Sequence, residues 1–204
     1  MPQGARAGRT GGRERFGYIV ERAAGADFAA HTKRTLFAPL GMNHTSWRVA
    51  DFRADDLAMP SGAMGEAYGN YTFADYPGGA MRTSVNDLSR FLRLFIGGGV
   101  LNGVRLLTKA SVEEMKRIQY PNTTQDGVQL GLGWNLGAGD GGSPLLGHDG
   151  GVAGALTVMR YNPATNTGVI LFQNTDPFPD AEENVQALAG YTLARSLIGL
   201  GEMA

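Results

Sequence analysis

The 204-residue sequence contains no cysteine. This excludes disulfides, thiolate metal ligands and a cysteine nucleophile, and leaves the compartment open. Histidine is scarce, at positions 31, 44 and 148 only. No two of them share the close spacing by which a helix or turn presents metal ligands, so neither a metal nor another cofactor is expected. No charge sign dominates. The formal net charge is -1, which gives no overall field for nucleic acid or an anionic membrane, and neither is expected as a partner. Long apolar runs are also missing. Phe91 to Leu101 is the longest, and it carries Arg93 and breaks at Gly97-Gly98-Gly99. That falls well short of the roughly 18 apolar residues needed to cross a bilayer. No apolar signal segment follows Met1.

The remaining composition is that of a globular domain, with 43% hydrophobic and 18% charged residues, and the length suffices for one packed core. Glycine, at 31 residues, favours tight turns and close backbone approaches over a purely helical bundle. Residues 1–15 differ from the rest. Arg6, Arg9, Arg13 and Arg15 sit among glycines and alanines, and no large apolar residue lies between Met1 and Phe16. Such a segment buries too little surface to offset its ordering entropy and is expected to be a disordered arm. A basic arm for nucleic acid would interleave aromatics, and this one has none.

From Phe16 the pattern is helical. Phe16, Ile19, Val20 and Ala23 fall at i, i+3, i+4 and i+7, with Gly25 as the stop. A second helix is expected over Asp27–Leu36, ending before Pro39. Residues 39–45 form a compact turn, and 46–78 read as a long loop, a length that in a compact domain signals function, disorder or missed structure. Ser84 and Asp87 have capping-box spacing, ahead of an apolar stripe of Val85, Leu88, Phe91, Leu92 and Phe95 closed by Gly97. A shorter helix fits Thr108–Ile118, with Val112, Met115 and Ile118 inward. A strand is expected over Leu132–Leu136, then a hairpin of residues 155–161 and 168–174 joined by a turn at 162–167. Asp180 and Glu183 suggest a cap for a last helix bearing Val185, Leu188, Ala189, Leu193 and Leu197. Clustered helices and strands imply an α+β fold with an antiparallel sheet flanked by helices. Residues 16–125 would form its mainly helical and loop region and 126–204 its hairpin and C-terminal helix.

The stretch Gly147-His148-Asp149-Gly150-Gly151, at the mouth of that hairpin, draws most attention. A histidine among glycines lets another backbone approach a strand edge, because glycine has no Cβ to block it. The same letters equally describe a Gly-rich loop entering an ordinary hairpin. Elsewhere the blander readings win. His31 and His44 suit surface or capping roles, and Asp55-Asp56 and Glu113-Glu114 suit solvated charges. Gly97-Gly98-Gly99 follows a helix instead of a strand, which argues against a phosphate cradle. Trp134 reads as packing on the sheet, with a place at the cleft border as the alternative.

Several landmarks, in order, resemble the serine β-lactamase and penicillin-binding-protein-like hydrolases: class C β-lactamases, D-Ala-D-Ala carboxypeptidases and related esterases. They are the Gly17–Gly25 helix, Pro39-Leu40-Gly41-Met42 with Thr45, Pro77-Gly78-Gly79 with Thr83–Leu88, Gly147–Gly150 as a His-x-Gly third motif, and Asn174 at a strand end. The resemblance implies a β-lactamase/transpeptidase-like fold, read here as an N-terminally truncated, C-terminal portion, with the Arg/Gly composition of residues 1–15 suggesting an out-of-frame start. It implies that His148 lines the cleft, that Gly150 and Gly147 keep the substrate edge open, and that the Gly151 amide serves an oxyanion hole.

It also shows a gap. The family acylates the serine of a Ser-x-x-Lys motif. Here Ser46, Ser61, Ser84, Ser89, Ser111, Ser143 and Ser196 are followed three residues on by Val49, Met64, Asp87, Leu92, Glu114, Leu146 and Gly199. Tyr68-Gly69-Asn70 matches the Tyr-x-Asn motif in letters, but it follows Pro39–Met42 where the family's precedes it. Tyr68 is therefore a weak substrate-site candidate, with a packing ring as the plainer reading. The expected function is that of an acyl-serine hydrolase fragment, inactive alone, on β-lactam, peptide or ester substrates. A non-catalytic binding or interaction module and one half of a split enzyme remain alternatives. An N-terminal partner chain or self-association is expected to cover exposed apolar surface.

Overall fold

Three capping side chains decide where helices begin. Asp27, Ser84 and Thr108 each accept a hydrogen bond from the amide three residues on, at 3.0, 3.1 and 3.0 Å. Each thereby satisfies an amide that the first helical turn leaves unpaired. The computed structural model describes residues 13–74, 76–119, 129–138 and 144–176. The helices are α1 (Arg13–Ala24), α2 (Phe28–Thr32), α3 (Ala38–Leu40), α4 (Val85–Ile96) and α5 (Lys109–Lys116). The expected last helix and residues 1–12 of the arm lie outside the described residues. α1 starts at Arg13, within the stretch expected to be a disordered arm, and stops at Gly25 (φ 60°).

The second helix does not end before Pro39. It widens into a π-helical segment, Lys33–Phe37, and continues through Pro39 as α3. The Ala38 amide bonds back to Lys33 and the Met42 amide to Phe37, five residues each. The wider turn leaves room for the ring and bypasses the amide that proline lacks. The 46–78 loop is ordered by short 3₁₀ turns and by pairing at both ends. Ser46 bridges Arg82, and Ser61 bridges Thr175 just beyond the sheet.

A short ribbon, β1 (Val100–Leu101) with β2 (Val104–Arg105), was not anticipated. The main sheet holds β3 (Gln129–Leu130), β4 (Asn135–Ala138), β5 (Pro144–Val152), β6 (Ala155–Asn162) and β7 (Thr167–Gln173), in that order and all antiparallel. The single strand expected over Leu132–Leu136 is instead a turn entering β4, with Gly133 at φ 74°. The glycine-rich stretch is likewise strand and not loop: residues 147–152 are the second half of β5.

Between sheet and helices lies a core of Leu92, Phe95, Val112, Trp134, Leu146 and Tyr161. A second cluster joins Phe37, Leu40, Met42, Leu94 and Leu101. α4 therefore buries two sides, one on the sheet and one on the α2–α3 unit. Leu94, outside the expected stripe, is buried for that reason. Val85, inside the stripe, remains largely exposed.

Candidate active site

The candidate site starts from strand geometry. β4 pairs with β5 only from Pro144 to Gly147, where Asn135 faces Gly147. β6 pairs with β5 all the way to Val152. Among the described residues, Asp149 to Val152 therefore have no strand partner on the side away from β6. A two-residue turn, Ala153-Gly154, joins Val152 to its partner Ala155. In such a hairpin the flanking pair exchanges hydrogen bonds and alternate pairs do so along the ladder. Gly150 and His148 thus bond toward β6, while the main-chain groups of Asp149 and Gly151 point to the open edge.

Side chains alternate in the same way. His148 stands opposite Met159 and on the face of Leu146, which packs under α4 and α5. Asp149 lies on the other face and forms an ion pair with Arg160 across the β5–β6 ladder. The Asp149 Oδ1 atom is buried without a hydrogen-bond partner.

The glycines of the motif do different things. A Cβ on Gly147 would stand 2.0 Å from the Met159 carbonyl oxygen and 2.9 Å from the Arg160 side chain. The space beside it is filled by the neighbouring strand, which requires glycine for packing at this position. A Cβ on Gly150 would meet only the Thr157 hydroxyl, at 3.1 Å. Gly147→Ala is expected to cost about 1–3 kcal/mol through forced backbone movement, and Gly150→Ala clearly less. Chemical denaturation of the two variants checks this, and equal losses would contradict the assignment.

Tyr68 stands elsewhere. Its hydroxyl donates to Asp176 at 3.0 Å, past the end of β7 and two strands from β5. That bond to Asp176 raises its pKa above the usual phenol value. The tyrosine that reaches the β5–β6 turn is Tyr71, which donates to the Ala153 carbonyl. Its own carbonyl accepts from Arg82, whose guanidinium also lies 5.9 Å from the Tyr71 ring centre. No motif marks Tyr71; its role arises because Gly154 (φ 74°) lets Pro60 and Ser61 cross the turn in close contact.

The described serines are occupied elsewhere, and Ser143 and Ser196 lie outside the described residues. Ser46 shares a shallow cavity of about 220 Å³ with Lys33, yet its hydroxyl donates to Asp51 at 2.5 Å. Ser61 donates to Asn174, Ser84 caps α4 and Ser89 donates to Asn86. Ser111 pairs with Thr108. Trp134 belongs to the core, its ring stacked 3.7 Å from that of Phe95. His44 contributes its backbone amide, which donates to Asp87 at 2.7 Å. Asp87, expected to close a capping box on Ser84, turns instead to His44 and to the Thr45 hydroxyl at 2.9 Å. Two donors, one of them the buried Thr45 hydroxyl, outweigh one amide at a helix start. Among the described residues no group of acidic and histidine side chains is arranged to hold a metal.

Solved structures share this fold. The octameric penicillin-binding protein homologue from Pyrococcus abyssi is 25% identical, with a TM-score of 0.71 over 93% of this chain and 42% of its own. The D-amino acid amidase from Ochrobactrum anthropi SV3 is 22% identical, with a TM-score of 0.75 over 99% of this chain and 58% of its own. The D-alanine carboxypeptidase AmpC from Burkholderia cenocepacia is 16% identical, with a TM-score of 0.68 over 94% and 60%. The chain thus spans about half the length of the solved structures it matches. No curated protein sequence matches it. The family model named Beta-lactamase matches residues 11–192, almost the whole chain, and the protein belongs to the Beta-lactamase family.

Proposed function

We propose that this chain forms the substrate edge of an acyl-serine hydrolase whose attacking hydroxyl and activating lysine are supplied from outside these 204 residues. The observation that carries the reading is the edge of β5 at Asp149–Val152, which has no strand partner among the described residues, with the Gly151 main chain directed to it and His148 on the helix-facing side. In this reading the Gly151 N–H donates to the developing oxyanion, a contribution of about 3 kcal/mol in a completed site. His148 borders the acyl group and hydrogen-bonds the substrate or the proton-transfer network, and Gly150 leaves the edge accessible.

The reaction is hydrolysis of an amide or ester through an acyl-serine. The matched amidase and carboxypeptidase are both named for D-configured substrates. By that analogy the acyl group is a D-aminoacyl group or a β-lactam, with simple esters as further candidates.

Purified chain treated with a fluorophosphonate or a fluorescent penicillin is expected to remain unlabelled. Label is expected only after addition of a polypeptide carrying a Ser-x-x-Lys helix. A covalent adduct on any serine of this chain overturns the proposal. The engaged hydroxyls of Ser46, Ser61 and Ser89 favour a second reading, a non-catalytic ligand-binding module. Saturable penicillin binding at His148, without acylation in either preparation, supports that reading.

A further inference from the structure

The periodicity of α1 marks Phe16, Ile19, Val20 and Ala23 as its apolar stripe; Val20 is half-buried, yet the other three face outward. Phe16 is 67% exposed and Ile19 58% exposed, and Ala23 is exposed as well. At 100° per residue these three lie within about 60° of one another. The docked side is the other one. Gly17 is buried against Pro77, where a Cβ would stand 2.7 Å from the proline ring, and Glu21 accepts from the Phe28 amide at 2.9 Å. A helix that turns its apolar stripe to water while docking through a glycine and a glutamate has a second neighbour to bury.

We infer that this stripe is a docking surface for an amphipathic helix with an acidic flank, on a polypeptide segment outside these 204 residues. Two observations choose this occupant. First, Arg15 and Arg22, both exposed, lie one helical column from Ile19 along the same edge of the stripe. A partner helix bearing Glu or Asp along that edge gains opposite charge over two turns. A second copy docked antiparallel about a twofold axis would set these arginines against their own counterparts. Second, the matched structures contain 40% or more of chain beyond the part that this protein covers. The inference rests on the reading that part of the pocket comes from outside this chain, and its test uses no acyl chemistry, so the two can fail separately.

The probes are two designed peptides of about 18 residues, long enough to be helical. Both carry a leucine stripe; one flanks it with glutamate, the other with lysine. In fluorescence anisotropy with the full chain, the glutamate peptide is expected to bind saturably and the lysine peptide at least about tenfold more weakly. Phe16→Ser and Ile19→Ser, which change exposed side chains and are expected to keep the wild-type melt, should each weaken binding by about tenfold. Arg15→Glu with Arg22→Glu should reverse the peptide preference. Equal binding of both peptides, or binding indifferent to the stripe substitutions, overturns the inference. So does a sedimenting dimer of the chain that Ile19→Lys dissociates, which would make the second copy the occupant.

Discussion

Replacing Trp134 with alanine is expected to remove about 3–5 kcal/mol of stability, the largest single effect at any described position. The indole is 3% exposed and lies between the sheet and α4, stacked on Phe95 at 3.7 Å and near-parallel to Phe91 at 6.3 Å. It stands immediately before β4, at the level where β4 stops pairing with β5. The cavity left by truncation would open onto Phe95, Leu146 and Tyr161, the residues that seat the sheet on α4 and α5. Trp134→Phe keeps an aromatic face and should lose less than half as much. Equilibrium denaturation followed by far-ultraviolet circular dichroism separates the two variants. A Trp134→Ala protein as stable as wild type would mean that this interface does not carry the fold. The alternative role for Trp134, bordering the substrate cleft, predicts the opposite pattern: unchanged stability with altered ligand binding.

Asp87→Ala is expected to cost about 1–3 kcal/mol, because it leaves the buried Thr45 hydroxyl and the His44 amide without their acceptor. The carboxylate is 4% exposed and takes hydrogen bonds from the His44 amide and the Thr45 hydroxyl. Thr45 in turn shares a 2.7 Å bond with Thr83. One carboxylate therefore ties the turn after α3 to the start of α4. Asp87→Asn keeps an acceptor oxygen and should recover part of the loss, whereas Asp87→Leu should be at least as damaging as alanine. Thermal melts of the three variants give the order. A loss under about 1 kcal/mol for Asp87→Ala would show that water replaces the carboxylate and that the node is not structural. This link ties together Pro39–Thr45 and Thr83–Leu88, two of the landmarks on which the family resemblance rests.

The helices were readable because their signals are local. Ser84 before a stripe at helical spacing, Thr108 before Val112 and Gly25 after Ala23 act within a few residues of where they stand, and the structure places caps or stops at each. Pro39 misled because its cost depends on the hydrogen-bond pattern around it, and a π-helical segment removes that cost over a distance no propensity rule samples. The short strands β1 to β3 had no usable period at two residues each. Within the site, the His-x-Gly letters located β5, but they did not distinguish the two glycines. Gly147 is required by Arg160 and Met159, thirteen and twelve residues away in sequence and adjacent only through the β5–β6 register. The letters of Tyr68-Gly69-Asn70 gave no sign that the neighbouring Tyr71 reaches the β5–β6 turn, which depends on the tertiary path of the loop.

By itself the sequence determined the family, the α+β class, the helix caps and the absence of a Ser-x-x-Lys pair, since each rests on residue identity at short spacing. Tertiary structure alone decided that β4 pairs with β5 only as far as Gly147, that Asp87 serves His44 and Thr45, and that α1 turns Phe16, Ile19 and Ala23 to solvent. These depend on which distant segments meet, because a hydrogen-bond donor or an apolar face is satisfied by whatever packing brings to it.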